Sequence, residues 1–259
     1  MIDIADIEPA ISEAGERRAH GSIITLGIGL TECLRTANYG EALPLAIAAR
    51  KLAAYESPSF AAGMDAVLGV IYADLPAGDR GDNLRRAIER FEAALRVYTE
   101  HDHPRQWAMT QTNLGAAYAD LSAGDRGDNL RRAIECFEAA LRVYTESDLP
   151  RDWAMTQRNL GTAYADLPTG NLSGNLLRTI ECFKAALRVY TESDFTREWA
   201  ITQANLAAAY YRLPTGDRGD NLRRGIECSE EAARGFAAAD METAAQVARA
   251  MAEALGRQK

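Results

Sequence analysis

Aromatic residues make up only 7% of the 259-residue chain against 47% apolar residues overall, so alanine-rich helices fit the composition better than strands. No apolar run approaches the ~20 residues of a membrane span, which excludes a spanning helix. Basic residues are outnumbered, and the formal net charge of −8 argues against a general phosphate-backbone binder. Proline and glycine are too scarce for a collagen-like or disordered chain. The four cysteines (Cys33, Cys136, Cys182 and Cys228) contain no C-x-x-C pair and read as reduced thiols. The opening "MIDIADIEPAISEAGERRAHG" carries acidic residues early, unlike a secretory signal. A cytoplasmic location is the expectation.

What is abundant is repetition. The stretch "GDRGDNLRRAIERFEAALRVYTE" from Gly78 returns from Gly124 with one change, Cys136 for Arg90. Trp107, Trp153 and Trp199 are 46 residues apart, as are Tyr72, Tyr118, Tyr164 and Tyr210. Each period holds two helical patterns. In the first, Pro104 suits an opening turn, and Trp107, Gln111, Leu114 and Tyr118 share a face. In the second, Leu130, Ala133, Ile134, Phe137, Ala140, Leu141 and Tyr144 form a stripe, with Asp128 (and Asp82 one period earlier) expected as N-cap. Two such helices cannot bury both stripes alone, whereas stacked pairs can, and this predicts an all-α solenoid.

These residues resemble the tetratricopeptide repeat, whose signature is Trp-x2-Leu-Gly-x2-Tyr followed by Ala-x3-Phe. Leu114, Gly115 and Tyr118 match its first helix, and Ala133 and Phe137 its second; Leu160, Gly161, Tyr164 and Phe183 repeat the match. Gln111, Gln157 and Gln203 stand at the signature's tryptophan place, and Gly225 and Ser229 depart from it in the last period. The period exceeds the family's usual ~34 residues and is similar to the long repeats of kinesin light chains and of bacterial CHAT-associated proteins. The resemblance implies a right-handed superhelix of antiparallel helix pairs. The expected organisation is a helix over 1–20, an ordinary-length repeat over 21–57, four extended repeats over 58–238 and a capping helix over 239–259. Pro44 should make its helix start late or kink.

Motifs for chemistry are scarce. His101 and His103 form a His-x-His pair with no third ligand nearby and read as a solvated turn. "GDRGDN" lacks the ending of a phosphate loop. Its RGD reads as a bend at Gly81 and Gly127 plus a helix cap, not as an extracellular adhesion signal. Cys136, Cys182 and Cys228 read as small packing residues. The tryptophans are either wedged between units or free to stack on a ligand, with packing favoured. No nucleophile, acid–base pair, metal set or cofactor motif emerges, so no enzymatic activity is expected.

In the resembling family the first helices line a concave groove. The matching positions here are Met109, Thr112 and Asn113, then Met155, Arg158 and Asn159, then Asn205 and Arg212. Asn113, Asn159 and Asn205 recur at the repeat spacing, and an amide can both donate to and accept from a peptide backbone. The alternative is that each amide bonds a neighbouring helix. Arg158 breaks an otherwise bland face and could pair with a partner's carboxylate, or with Asp120 or Asp166. The expected function is a non-catalytic protein-interaction module that binds a peptide or partner segment, with no nucleic acid or membrane partner. Self-assembly as a homo-oligomeric scaffold, or regulation of a CHAT-type protease system, are the alternatives.

Overall fold

A computed structural model describes residues 15–53 and 57–258. Among them are eleven helices and no strand: α1 Gly15–Arg35, α2 Tyr39–Ala53, α3 Pro58–Asp74, α4 Arg80–Leu95, α5 Pro104–Asp120, α6 Arg126–Ala140, α7 Pro150–Asp166, α8 Leu172–Ala186, α9 Thr196–Arg212, α10 Arg218–Ala238 and α11 Glu242–Gly256. Most of the helix expected over 1–20 lies outside the described residues. No helix is long and apolar enough to cross a membrane among them.

Two compact units divide the chain, Met1–Gly124 and Asp125–Lys259. In the first, α1 to α5 each pack on the next, and α3 also reaches α5. In the second, α6 to α11 do the same, and α7 reaches α9. Each unit thus brings the opening helices of successive repeats side by side.

The second helices begin on an aspartate, but not the one expected. Asp79, Asp125 and Asp217 are the N-caps, their side chains accepting from the backbone N–H of Asp82, Asp128 and Asp220. The aspartate of the RGD is therefore the third helical residue, where its charge still meets the positive end of the dipole. The bend also moves forward: Gly78, Gly124, Gly170 and Gly216 have φ of 87°, 84°, 87° and 82°, whereas Gly81 and Gly127 are helical. The RGD arginine is a staple. Arg80 donates to the Ala73 carbonyl and, at 2.9 Å, to Asp120; Arg218 donates to the Tyr211 carbonyl at 2.6 Å. Pro44 does not delay its helix, which starts at Tyr39 and runs through it.

An asparagine follows each cap, buried at Asn83, Asn129 and Asn221 and half-buried at Asn175. Asn83, Asn175 and Asn221 donate to the carbonyls of Ala77, Thr169 and Thr215 at 2.8, 3.0 and 2.9 Å, closing the turn before the helix. The signature glycine has a packing cause: a Cβ on Gly161 would sit 2.8 Å from the Phe183 ring, and one on Gly69 2.4 Å from Phe91. Where Ser229 removes the aromatic, Ala207 stands in place of that glycine.

The single difference between the twin stretches also has a cause. Asp65 on α3 is 3% exposed and accepts from Arg50 at 2.8 Å and from Arg90 at 3.2 Å. One period on, Gln111 replaces Asp65 and Cys136 replaces Arg90; Gln157 with Cys182 and Gln203 with Cys228 keep the same pairing. Arg90 is present where a buried carboxylate requires a cation, and absent where it is not required.

Candidate functional site

In the second unit α7 and α9 are in contact, and the sequence-derived groove residues lie along them. Asn159 and Asn205 are half-buried, and their side chains have no hydrogen-bond partner among the described residues. Met155 is half-buried beside them. Arg158 lays its guanidinium 5.9 Å from the centre of the Tyr190 ring and makes no ion pair among the described residues. Burial raises the Tyr190 hydroxyl above its usual pKa, with the Arg158 charge working against it. Asp166 instead faces Arg126, at 3.9 Å. Arg212 is exposed in the last turn of α9.

In the first unit, α5 carries the remaining candidates. Met109 is 47% exposed and Asn113 half-buried, again with no side-chain hydrogen bond among the described residues. Thr112 is buried and donates its hydroxyl to the Ala108 carbonyl at 3.0 Å, which leaves little of it for a ligand.

The tryptophans are packing residues, each 8% exposed. Arg188 covers the Trp153 ring at 5.1 Å while Glu146 holds its guanidinium through two bonds of 3.0 and 2.6 Å. Trp199 lies so close to α10 that a Cβ on Gly235 would meet its ring at 2.8 Å. Cys182 and Cys228 are buried, which together with nearby carboxylates pushes their thiols up to about 12 and keeps them protonated and poorly nucleophilic at neutral pH.

His101 is exposed as expected, but His103 is not a solvated turn residue. Its Nε2 is 3.0 Å from Ser59 Oγ and its ring lies 5.2 Å from that of Tyr98, whose hydroxyl donates to the Ser59 carbonyl. Leu149 and Phe195 stand at the same place one and two periods on, so the histidine fills an apolar seat. No group of three metal-ligating side chains occurs among the described residues.

Sequence reasoning missed the inter-helix bonds of the tyrosines. Tyr118 donates to Glu92 at 2.9 Å and Tyr164 to Glu138 at 2.8 Å. At the next place Lys184 replaces the glutamate and lies over the Tyr210 ring at 5.8 Å. The spacing of 26 residues between each pair was the available signal.

No protein-family model matches the chain, and no curated protein matches it. Among solved structures, BtubC (BKLC) from P. vanneervenii matches with a TM-score of 0.66 over 92% of this chain and 91% of that one. The chain has the fold of a tetratricopeptide-like α-solenoid. Sequence identity with BtubC is 18%, so the likeness carries the fold and the pairing of its helices, not a ligand.

Proposed function

We propose that the protein is a non-catalytic protein-interaction module that holds an extended partner segment along its first helices. The observation that carries this reading is the state of the asparagines: the half-buried amides of Asn113, Asn159 and Asn205 are unpaired among the described residues. Half-buried amides that no other side chain engages remain available to a ligand, and a peptide backbone offers both a donor and an acceptor to them. In the second unit Arg158 and Arg212 supply positive charge on the helices of Asn159 and Asn205, with Arg158 against Tyr190, and Met155 supplies adaptable apolar contact, as Met109 does beside Asn113 in the first. The net charge of −8 argues against a general phosphate-backbone binder.

The test is capture from lysate, mass spectrometry to identify the partner, and titration of the mapped segment against wild type and an Asn113→Ala/Asn159→Ala/Asn205→Ala variant. Each amide bond contributes ~0.5–1.5 kcal/mol, so the triple variant should bind at least about tenfold more weakly. A folded triple variant with undiminished affinity overturns the reading.

A second reading, self-association, has one observation on its side. Leu172 and Leu177 are 49% and 48% exposed on α8, where the preceding repeat has Arg126 and Arg131. Light scattering that finds a strict monomer over a wide concentration range removes it.

A further inference from the structure

The repeat changes character at its last turn, and the change makes a pocket. Between α9, α10 and α11 lies an open apolar cavity of about 650 Å³. Ala204, Phe236, Met241, Val247 and Met251 line it. Each of these stands at a repeat position where the preceding period has a different residue. Arg158, which covers Tyr190, is replaced by Ala204, and the covered Tyr190 by Phe236. A guanidinium that lies over an aromatic ring in one repeat is therefore missing in the next, where Phe236, 7% exposed, lines the cavity. The row of asparagines ends in the same place, since the position of Asn159 and Asn205 is held on α11 by Met251 and that of Met155 by Val247. The face that offers amides along α7 and α9 offers methyl and thioether groups on α11.

The mouth of the cavity is charged. Asp102, Asp148 and Asp194 each have a threonine three residues earlier, whose hydroxyl donates to the carboxylate at 2.8, 2.7 and 2.9 Å. At the fourth place Ala237 replaces the threonine, and the exposed Asp240 carboxylate has no hydrogen-bond or ion-pair partner among the described residues. Its neighbour Glu242 is engaged by Arg249 at 3.0 Å. An apolar cavity with one unpaired carboxylate at its rim is complementary to a large aliphatic side chain next to a cationic one.

We propose that this pocket is an anchoring site for a partner segment carrying a leucine-like side chain followed by arginine or lysine: the aliphatic group lies on Phe236 between Ala204 and Met251, and the cation meets Asp240. It rests on the reading of the protein as a peptide-binding module but uses none of the asparagines, so the two can fail separately.

The probe is the capped peptide Ac-Ala-Leu-Arg-Ala-NH2, titrated into the full chain carrying labelled methionine methyl groups. Met241 and Met251 line the pocket, whereas Met109 and Met155 report on the asparagine row. The expected result is a saturable shift of the Met241 and Met251 signals. Ac-Ala-Leu-Glu-Ala-NH2 should bind about fivefold more weakly, the scale of an exposed ion pair, and Asp240→Asn should abolish that difference. Replacing the peptide's leucine with alanine should weaken binding about tenfold or more, because an aliphatic side chain is no longer buried. Ala204→Arg, which restores the residue found at Arg158, should remove the shifts while leaving the melting temperature unchanged. The Asn113/Asn159/Asn205 triple alanine variant should keep them. The proposal is overturned if Met241 and Met251 do not respond to the Leu-Arg peptide, if the Leu-Glu peptide binds wild type equally well, if Asp240→Asn leaves the preference intact, or if a folded triple variant loses the response.

Discussion

Replacing Asp65 with alanine should loosen α3 and α4 more than any surface charge change in the chain. The carboxylate is 4% exposed and lies between Arg50 and Arg90, whose side chains are 32% and 42% exposed. Removing one partner from a fully buried ion pair costs ~3–5 kcal/mol, because the remaining charge is left unpaired in a poor solvent. Here both arginines can turn partly into water, so the cost falls to about 2 kcal/mol. That corresponds to roughly thirtyfold faster amide exchange in any segment whose opening depends on the contact. Hydrogen exchange read by mass spectrometry separates the segments, so α3 and α4 can be compared with α9 and α10 of the other unit as internal references. The decisive control is the double variant Asp65→Gln/Arg90→Cys, which installs the pair found as Gln111 with Cys136, Gln157 with Cys182 and Gln203 with Cys228. It should recover at least half of the lost protection, although it removes a charged pair outright. If Asp65→Ala leaves exchange in α3 and α4 unchanged, or if the double variant exchanges as fast as the single one, Arg90 is not there for Asp65.

That pairing is legible in the sequence itself, by comparing columns 46 residues apart rather than the twin stretches alone. The helices are legible too, because stripes at three- and four-residue steps and prolines at first turns are local signals. The caps are not. "GDRGD" offers two aspartates three residues apart, either of which is a good N-cap by type, and only the bond that the backbone N–H of the second donates to the carboxylate of the first decides between them. Likewise two glycines flank the arginine, and only the positive φ of Gly78 and its equivalents shows which one turns the chain.

The candidate site divides in the same way. The positions of Asn113, Asn159 and Asn205 follow from the period, but whether their amides are already engaged depends on side chains of other helices. Thr112 shows how the pattern misleads: its place on the helix is right for a groove, yet it is buried with its hydroxyl turned onto its own backbone. Arg158 stands out as a departure, but the ring beneath it belongs to a residue 32 positions later whose approach no local pattern gives. The pocket beside Ala204 is least legible of all. It exists because a side chain is missing in one repeat and a methionine replaces an asparagine on the next helix, and an empty space has no sequence motif.

Three further expectations follow from the packing. Gly161→Ala should cost ~1–3 kcal/mol by forcing the Phe183 ring aside; denaturant midpoints check this, and equal midpoints for wild type and Gly161→Ala count against it. Trp153→Ala should cost ~3–5 kcal/mol, since the ring is buried under Arg188, and a melting curve that does not move would show the ring is not a packing wedge. The last concerns alkali. Burial holds the thiols of Cys182 and Cys228 and the hydroxyl of Tyr164 up to about 12, in the tyrosine with help from its bond to Glu138. In the unfolded chain the thiols lose their protons near pH ~8.5 and the phenol near ~10. The folded state therefore keeps protons that the unfolded state releases, so stability is full below about pH 8.5 and declines as pH rises towards 12. Melting temperature should fall across that interval. A Cys182→Ala/Cys228→Ala variant, less stable at neutral pH because each leaves a small void, should fall less steeply, because two of the groups that release protons on unfolding are gone. An equal slope in the two proteins would mean that the thiols are not shielded by the contacts between α7, α8, α9 and α10.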